Sequence, residues 1–179
     1  MAARQGGAVG GSVARAAAGP ADDLARAREL LDADGRTVVA VRGDDVLASE
    51  ERGVRPLLWW VSAGTSLEGF SVADKVVGKA PALLYCLLRP RAVSAPVMSS
   101  AARTVLEAHG IGAACEVEVD RILNASKTGQ CPIDASVTDV SDPEEGLAAI
   151  RARLRELAAA RAAAGGTPAS GTASAGGAA

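Results

Sequence analysis

The sequence predicts an α/β protein with a mixed sheet covered by helices, and three observations predict it. Segments of strand character alternate along the chain with segments of helical period. Two β-branched runs near the N-terminus, separated by a short polar turn, read as a hairpin and supply an antiparallel part. From Arg91 to Leu123 the order is strand, short helix, strand, and a crossover of that kind returns the chain parallel to itself.

The elements follow in order. Met1–Pro20 is Ala, Gly and Arg with hardly any large apolar residue, and Arg161–Ala179 is Ala, Gly, Ser and Thr. Neither stretch can bury enough apolar surface to offset the entropy of ordering it, so both are expected to be disordered tails around one domain over residues 21–160. Ala21–Ala33 is predicted helical, with Leu24, Ala27, Leu30 and Leu31 on one face and Asp22 and Asp23 at the positive end of the dipole. Arg36–Val41 and Val46–Ser49 form the hairpin across Arg42–Asp45. Leu57-Leu58-Trp59-Trp60-Val61 is apolar throughout and reads as a short helix with Pro56 in its first turn. The tryptophan pair has two readings, core packing or a contact between subunits of a homo-oligomer.

Ser71 and Asp74 have the spacing of a capping box, which predicts a long central helix over Ser71–Leu88, kinked at Pro81. Gly78 inside it has no side chain and would admit a close neighbour. Arg91–Met98 is the next strand, with Pro96 at its end or at a bulge. Ser99 or Ser100 caps a helix over Ala101–His109 that Gly110 ends. Ala114–Leu123 alternates apolar and acidic residues and reads as a half-exposed strand. Asn124–Asp134 is a loop punctuated by Gly129 and Pro132, and Ala135–Val140 is read as a last short strand. Asp142-Pro143-Glu144-Glu145 opens a final helix with Leu147, Ile150, Leu154 and Leu157 as its stripe.

Composition removes several function classes. Net charge is −2, and the chain holds two Trp, one Tyr and one Phe. There is no basic field for phosphate backbones and no aromatic platform for bases, so nucleic acid is not an expected partner. No apolar run approaches the ~20 residues that cross a bilayer, so no membrane partner is expected. Cys86, Cys115 and Cys131 have no paired spacing, and no apolar signal core stands at the start. Reduced thiols in the cytoplasm are the expectation.

Few motifs carry chemistry. Gly78-Lys79 is followed by Ala80 rather than Ser or Thr, and Ala73 stands where a P-loop needs its first Gly. Gly110-Ile111-Gly112 lacks the third Gly of a dinucleotide turn. The His-x-Glu and Pro-Cys-x-x-Cys spacings of a zinc deaminase are missing. No metal or cofactor is therefore expected. His109 is the single His and is placed to meet carbonyls at a helix end. Three groups remain. Asp74, Lys75 and Lys79 form either a solvated helix start or the charged wall of a pocket that grips an anion. Ser99 and Ser100 either cap a helix or offer donors to the same anion. Cys131, with Lys127 nearby, is either a packed thiol or a nucleophile.

Gly53–Leu58, Ala73–Ala80 and Asn124…Thr128-Gly129…Cys131-Pro132 together resemble the domain of unknown function family 1893, over roughly Leu24–Leu157. Ala125 and Asp134 stand where that family tends to have Arg and a Glu-type acid, and Pro81 is unusual. The resemblance implies a three-layer α/β/α sandwich of the cytidine-deaminase-like group. It also implies that two helix N-termini, those after Ser71 and Ser99, meet at the mouth of a pocket. It places Asp74-Lys75 and Ser99-Ser100 where deaminases hold metal ligands, which suggests a pocket that keeps its place without zinc. The leading expectation is a small anionic or nucleotide-like ligand bound by Asp74, Lys75, Lys79, Ser99 and Ser100. The alternatives are an enzyme using Cys131 or Lys75, and an assembly module built on Trp59 and Trp60.

Overall fold

The computed structural model describes residues 19–33 and 35–165. The expected tails thus lie almost wholly outside the described residues, although helix α1 begins at Pro20 and the last helix runs on to Gly165. Among the described residues twelve elements follow in order: α1 (Pro20–Asp32), β1 (Val38–Arg42), β2 (Asp45–Ser49), α2 (Arg55–Ser62), β3 (Ser71–Asp74), β4 (Val76–Val77), α3 (Lys79–Leu88), β5 (Ala92–Ser99), α4 (Ser100–Ala108), β6 (Gly112–Val119), α5 (Pro132–Ala135) and α6 (Pro143–Gly165).

The sheet is mixed, as expected. β1 pairs antiparallel with β2 and with β3, while β3, β4 and β6 all run parallel to β5. β3 and β4 lie end to end along one side of β5, and β6 runs along the other. Helices cover both faces. On one, Ala27 and Leu31 of α1 pack on Val39, Val41 and Ala73. On the other, α2, α3, α4 and α6 bury Leu57, Trp60, Leu83, Leu106 and Ile150 against Val38, Ala40, Val72 and Val93. The alternation of side chains across a strand sends neighbours such as Val38 and Val39 to opposite layers.

The long central helix is corrected. Ser71–Asp74 is a strand, and Ser71 caps nothing: its hydroxyl donates to Pro20 O of α1 at 3.2 Å. The Ser-x-x-Asp spacing is a local signal, and it loses to two strand partners that bury Ser71, Val72 and Ala73. Helix α3 starts at Lys79, with Gly78 as its N-cap. Pro81 therefore sits in the first turn, where no N–H is needed, and the first helical bond runs from Ala82 N to Gly78 O at 3.1 Å. A kink is not required at that position.

Pro96 lies within β5, three residues before its end. It has no N–H to donate, and the ladder lapses around it: pairing stops after Ala73–Ser94 and resumes at Val76–Val97. That lapse divides β3 from β4 at Asp74-Lys75. The alternation also resets there, because Val72 and Val77, like Ala95 and Met98, face the same core.

Ala135–Val140 is likewise corrected. Pro132–Ala135 is a helical turn followed by further turns, not a strand. Pro at the first position and Asp134 at the third favour a helix start. The tryptophan pair splits: Trp60 is buried at 3% exposure, while Trp59 stands 67% exposed. Ser99 is the cap of α4, and its hydroxyl accepts from Ala102 N at 3.1 Å. Because that N–H is buried, Ser99→Ala should cost about 1 kcal/mol in urea unfolding. An unchanged midpoint would show that the cap contributes nothing. Among the described residues no helix is long and apolar enough to cross a membrane.

Candidate functional site

Val77 of β4 pairs with Met98 of β5, and the next residue of each strand, Gly78 and Ser99, is the N-cap of a helix. Helices α3 and α4 thus leave neighbouring parallel strands side by side. The expected meeting of the Ser71 and Ser99 helix starts at a pocket mouth is corrected: Ser71 begins strand β3, and the helix start beside that of Ser99 is the one after Gly78.

A cavity of about 410 Å³ opens beside the α3 junction, where the sheet is parted at Asp74-Lys75. Its apolar walls come from the start of α2 (Val54, Pro56, Leu57), the start of α3 (Ala80, Pro81) and the segment after β6 (Ile122, Leu123, Ile133). Its polar lining includes Arg52, Asp74, Lys75, Cys131 and Asp134. The segment after β6 forms a flap. Leu123 and Gln130 bridge its base, and Cys131 N donates to Ile122 O at 2.8 Å. Within it, the Asn124 side chain bonds to Thr128.

Asp74 is the most perturbed group of the cavity. Burial pushes its carboxyl up from 3.8 to about 6, against the opposing pull of the Tyr85 hydroxyl and the backbone N–H groups of Val76 and Lys75. Tyr85 is fully buried in α3 and donates to Asp74 Oδ2 at 2.7 Å. Burial, then the adjacent carboxylate, hold that phenol well above 10.0. The other oxygen, Oδ1, meets Val76 N at a long 3.3 Å.

Asp134 ties the flap to α3. Its Oδ1 accepts from Ala80 N at 2.9 Å, so a carboxylate from α5 caps the helix that Gly78 opens. Burial raises its pKa, and the N–H groups of Ala80 and Lys79 and the charge of Lys79 oppose the rise. The close approach expected at Gly78 is made by this carboxylate: a Cβ on Gly78 would stand 2.6 Å from Asp134 Cγ.

Of the residues singled out from the sequence, Asp74, Lys75 and Cys131 line the cavity together. Lys79, Ser99 and Ser100 are not among its lining residues. The Lys79 ammonium donates to Thr138 O at 2.6 Å, and the Ser99 hydroxyl is spent on α4. Lys127 is exposed on the flap with a positive φ of 56°. His109 Nδ1 lies 2.9 Å from Val105 O, at the helix end where it was expected. Among the described residues no three His, Cys, Asp or Glu side chains gather closely enough to hold a metal ion.

Tyr85, Arg52 and the capping role of Asp134 were not found by sequence reasoning. One signal pointed to Tyr85. It is the single Tyr of the chain and stands in an apolar helical run, and a buried phenol needs a partner.

The profile of the domain of unknown function family 1893 matches residues 26–154. The chain belongs to this family. Among solved structures, a family 1893 protein from Thermotoga maritima is similar to it, with 27% identity and a TM-score of 0.66 over 75% of this chain and 90% of that one. No curated protein matches the chain. The family resemblance read from the Asp-Lys-Val-Val-Gly-Lys run is therefore correct, and that run includes the parted strand, the N-cap Gly78 and the first residue of α3.

Proposed function

We propose that this family 1893 domain binds a small nucleotide-like ligand in the cavity between the flap and the start of α3. The observation that carries the reading is the cavity itself. It lies beside the end of a parallel strand where a helix begins, the place where α/β sheets bind ligands. It combines apolar walls for a flat body with the cations Lys75 and Arg52 for an anionic group. The side-by-side starts of α3 and α4 support the cytidine-deaminase-like assignment within this reading. No step of it uses a metal.

Nucleoside mono- and diphosphates provide the test. At a hundredfold excess over its dissociation constant, a ligand of the native state stabilises it by about 2.7 kcal/mol, which thermal melting resolves. Lys75→Ala should weaken the effective compound about tenfold, the loss of one charge-assisted contact. If no compound raises the melting temperature, or if Lys75→Ala leaves the response unchanged, the reading is wrong.

Cys131 favours a second reading, that of an enzyme, because its thiol lines the same cavity. Cys86 is a useful internal control, since burial pushes its thiol up to about 11. Under limiting iodoacetamide at pH 7, a nucleophilic Cys131 should be alkylated well before Cys115 and Cys86, and equal rates for Cys131 and Cys115 would remove this reading.

A further inference from the structure

The polar groups of the cavity are sorted by depth. Lys75 and Arg52 are exposed residues at its mouth. Asp74 is half-buried at the break in the sheet, and its Oδ2 is turned inward onto the buried Tyr85 hydroxyl. Asp134, the other carboxylate of the lining, is buried and committed to the start of α3. An anion carried to the inner end would therefore face two carboxylates poorly screened by water, and like charges at short range in such surroundings repel strongly. A donor meets the opposite situation. A carboxylate offers ~four lone-pair directions. Asp74 accepts from the Tyr85 hydroxyl at Oδ2 and from Val76 N at Oδ1, the latter at a long 3.3 Å, while Lys75 N donates to Thr37 O. Oδ1 keeps capacity for one more strong bond, and Tyr85 fixes the plane in which that bond must arrive.

We infer that the inner end of this cavity recognises an N–H donor on the ligand, an amidine-like or amino-heterocycle edge, through Asp74 Oδ1, with Tyr85 as the positioning residue behind it. This rests on the cavity being a binding site, as proposed above. It assigns the two ends of the ligand: nitrogen donors inward, any anionic group outward on Lys75 and Arg52. The charged and titratable groups sharing the space with Asp74 are Lys75 beside it, Tyr85 from α3, Arg52 from the segment before α2, and Cys131 and Asp134 from the flap and α5. Ionisation of Asp74 strengthens the bond to a donor, so affinity for a permanent cation rises from pH 5 to pH 7.5.

Three probes of one size separate the possibilities: benzamidine, benzoate and benzyl alcohol, titrated while the methyl resonances of Val54, Leu57 and Ile133 are followed by NMR. Benzamidine should bind best, benzoate about tenfold less tightly, which corresponds to about 1.4 kcal/mol. Asp74→Asn should abolish that preference, and Tyr85→Phe should weaken benzamidine while moving the pH at which its affinity rises upward. Wild-type affinity for benzamidine should grow about tenfold between pH 5 and pH 7.5, as expected for a carboxylate that ionises between them. If benzoate or benzyl alcohol binds and benzamidine does not, or if Asp74→Asn leaves the order of affinities intact, the inference is overturned while the binding site stands. If none of the three binds while a nucleoside phosphate raises the melting temperature, the inference is overturned and the binding site stands; if the nucleoside phosphates fail as well, the proposed function fails with it.

Discussion

Gly78→Ala is expected to destabilise the protein by about 2–3 kcal/mol, more than alanine in place of glycine costs at an ordinary N-cap. Backbone freedom is not the reason. Gly78 has φ −94° and ψ −175°, which any residue adopts. Room is the reason: the Asp134 carboxylate lies where the added methyl would go. To make way, Asp134 must release Ala80 N, which leaves a buried donor unsatisfied and a buried carboxyl without its compensating bonds. Asp134→Ala removes the same contact from the other side. The two changes therefore should not add, and the double variant should lie nearer to the worse single one than to the sum. Urea unfolding of all four proteins measures this. Additive losses would mean that Gly78 and Asp134 do not share a contact.

Asp74→Asn should have the opposite sign at neutral and alkaline pH. The native carboxyl, at about 6, holds its proton more tightly than the unfolded chain, where the ordinary value is 3.8. Its contribution to stability is thus complete below the unfolded value and is lost as pH rises through about 6. Each pH unit of difference corresponds to about 1.4 kcal/mol, so the ionised group costs the fold about 3 kcal/mol above pH 7. Asparagine can accept from Tyr85 without carrying charge, but its amide meets the N–H of Val76 poorly, so we expect a gain of about 1–2 kcal/mol at pH 8. That gain should vanish by pH 4, where the wild-type carboxyl is protonated. The raised pKa of Asp134 acts in the same direction and persists in the variant. Stability curves of the two proteins that run parallel between pH 4 and pH 8 would show that Asp74 is not perturbed. A residue whose removal stabilises the fold is one retained for something other than stability, which agrees with a place in a binding site.

Much of the architecture could be read from residues. The hairpin, the short helix with Pro56 in its first turn, the helix that Ser99 caps and the last helix behind Asp142-Pro143 all depend on signals within a few positions of each other. The structure reproduces each of them. The Ser71 region misled because its local signal was sound and irrelevant. A capping box offers two hydrogen bonds, whereas strand β3 gains ladders on both sides and buries three consecutive side chains. The residues after Cys131 misled similarly, since a few β-branched positions outweighed Pro132 and Asp134, which favour a helical turn.

The candidate site divides along the same line. Asp74, Lys75 and Gly78 stood out as chemistry in an apolar setting, and the family run containing them was recognisable. From the sequence alone came an α/β fold with a mixed sheet, the family, and the positions where charge interrupts the core. Three things were decided by tertiary structure: that Pro96 of a neighbouring strand parts the sheet at Asp74-Lys75, that Tyr85 stands behind Asp74, and that Asp134, far along the chain, closes over Gly78. The physical reason is range. Caps, turns and periodicity act between residues a few positions apart, whereas a cavity and a raised pKa arise from desolvation by elements that meet only when the chain has folded.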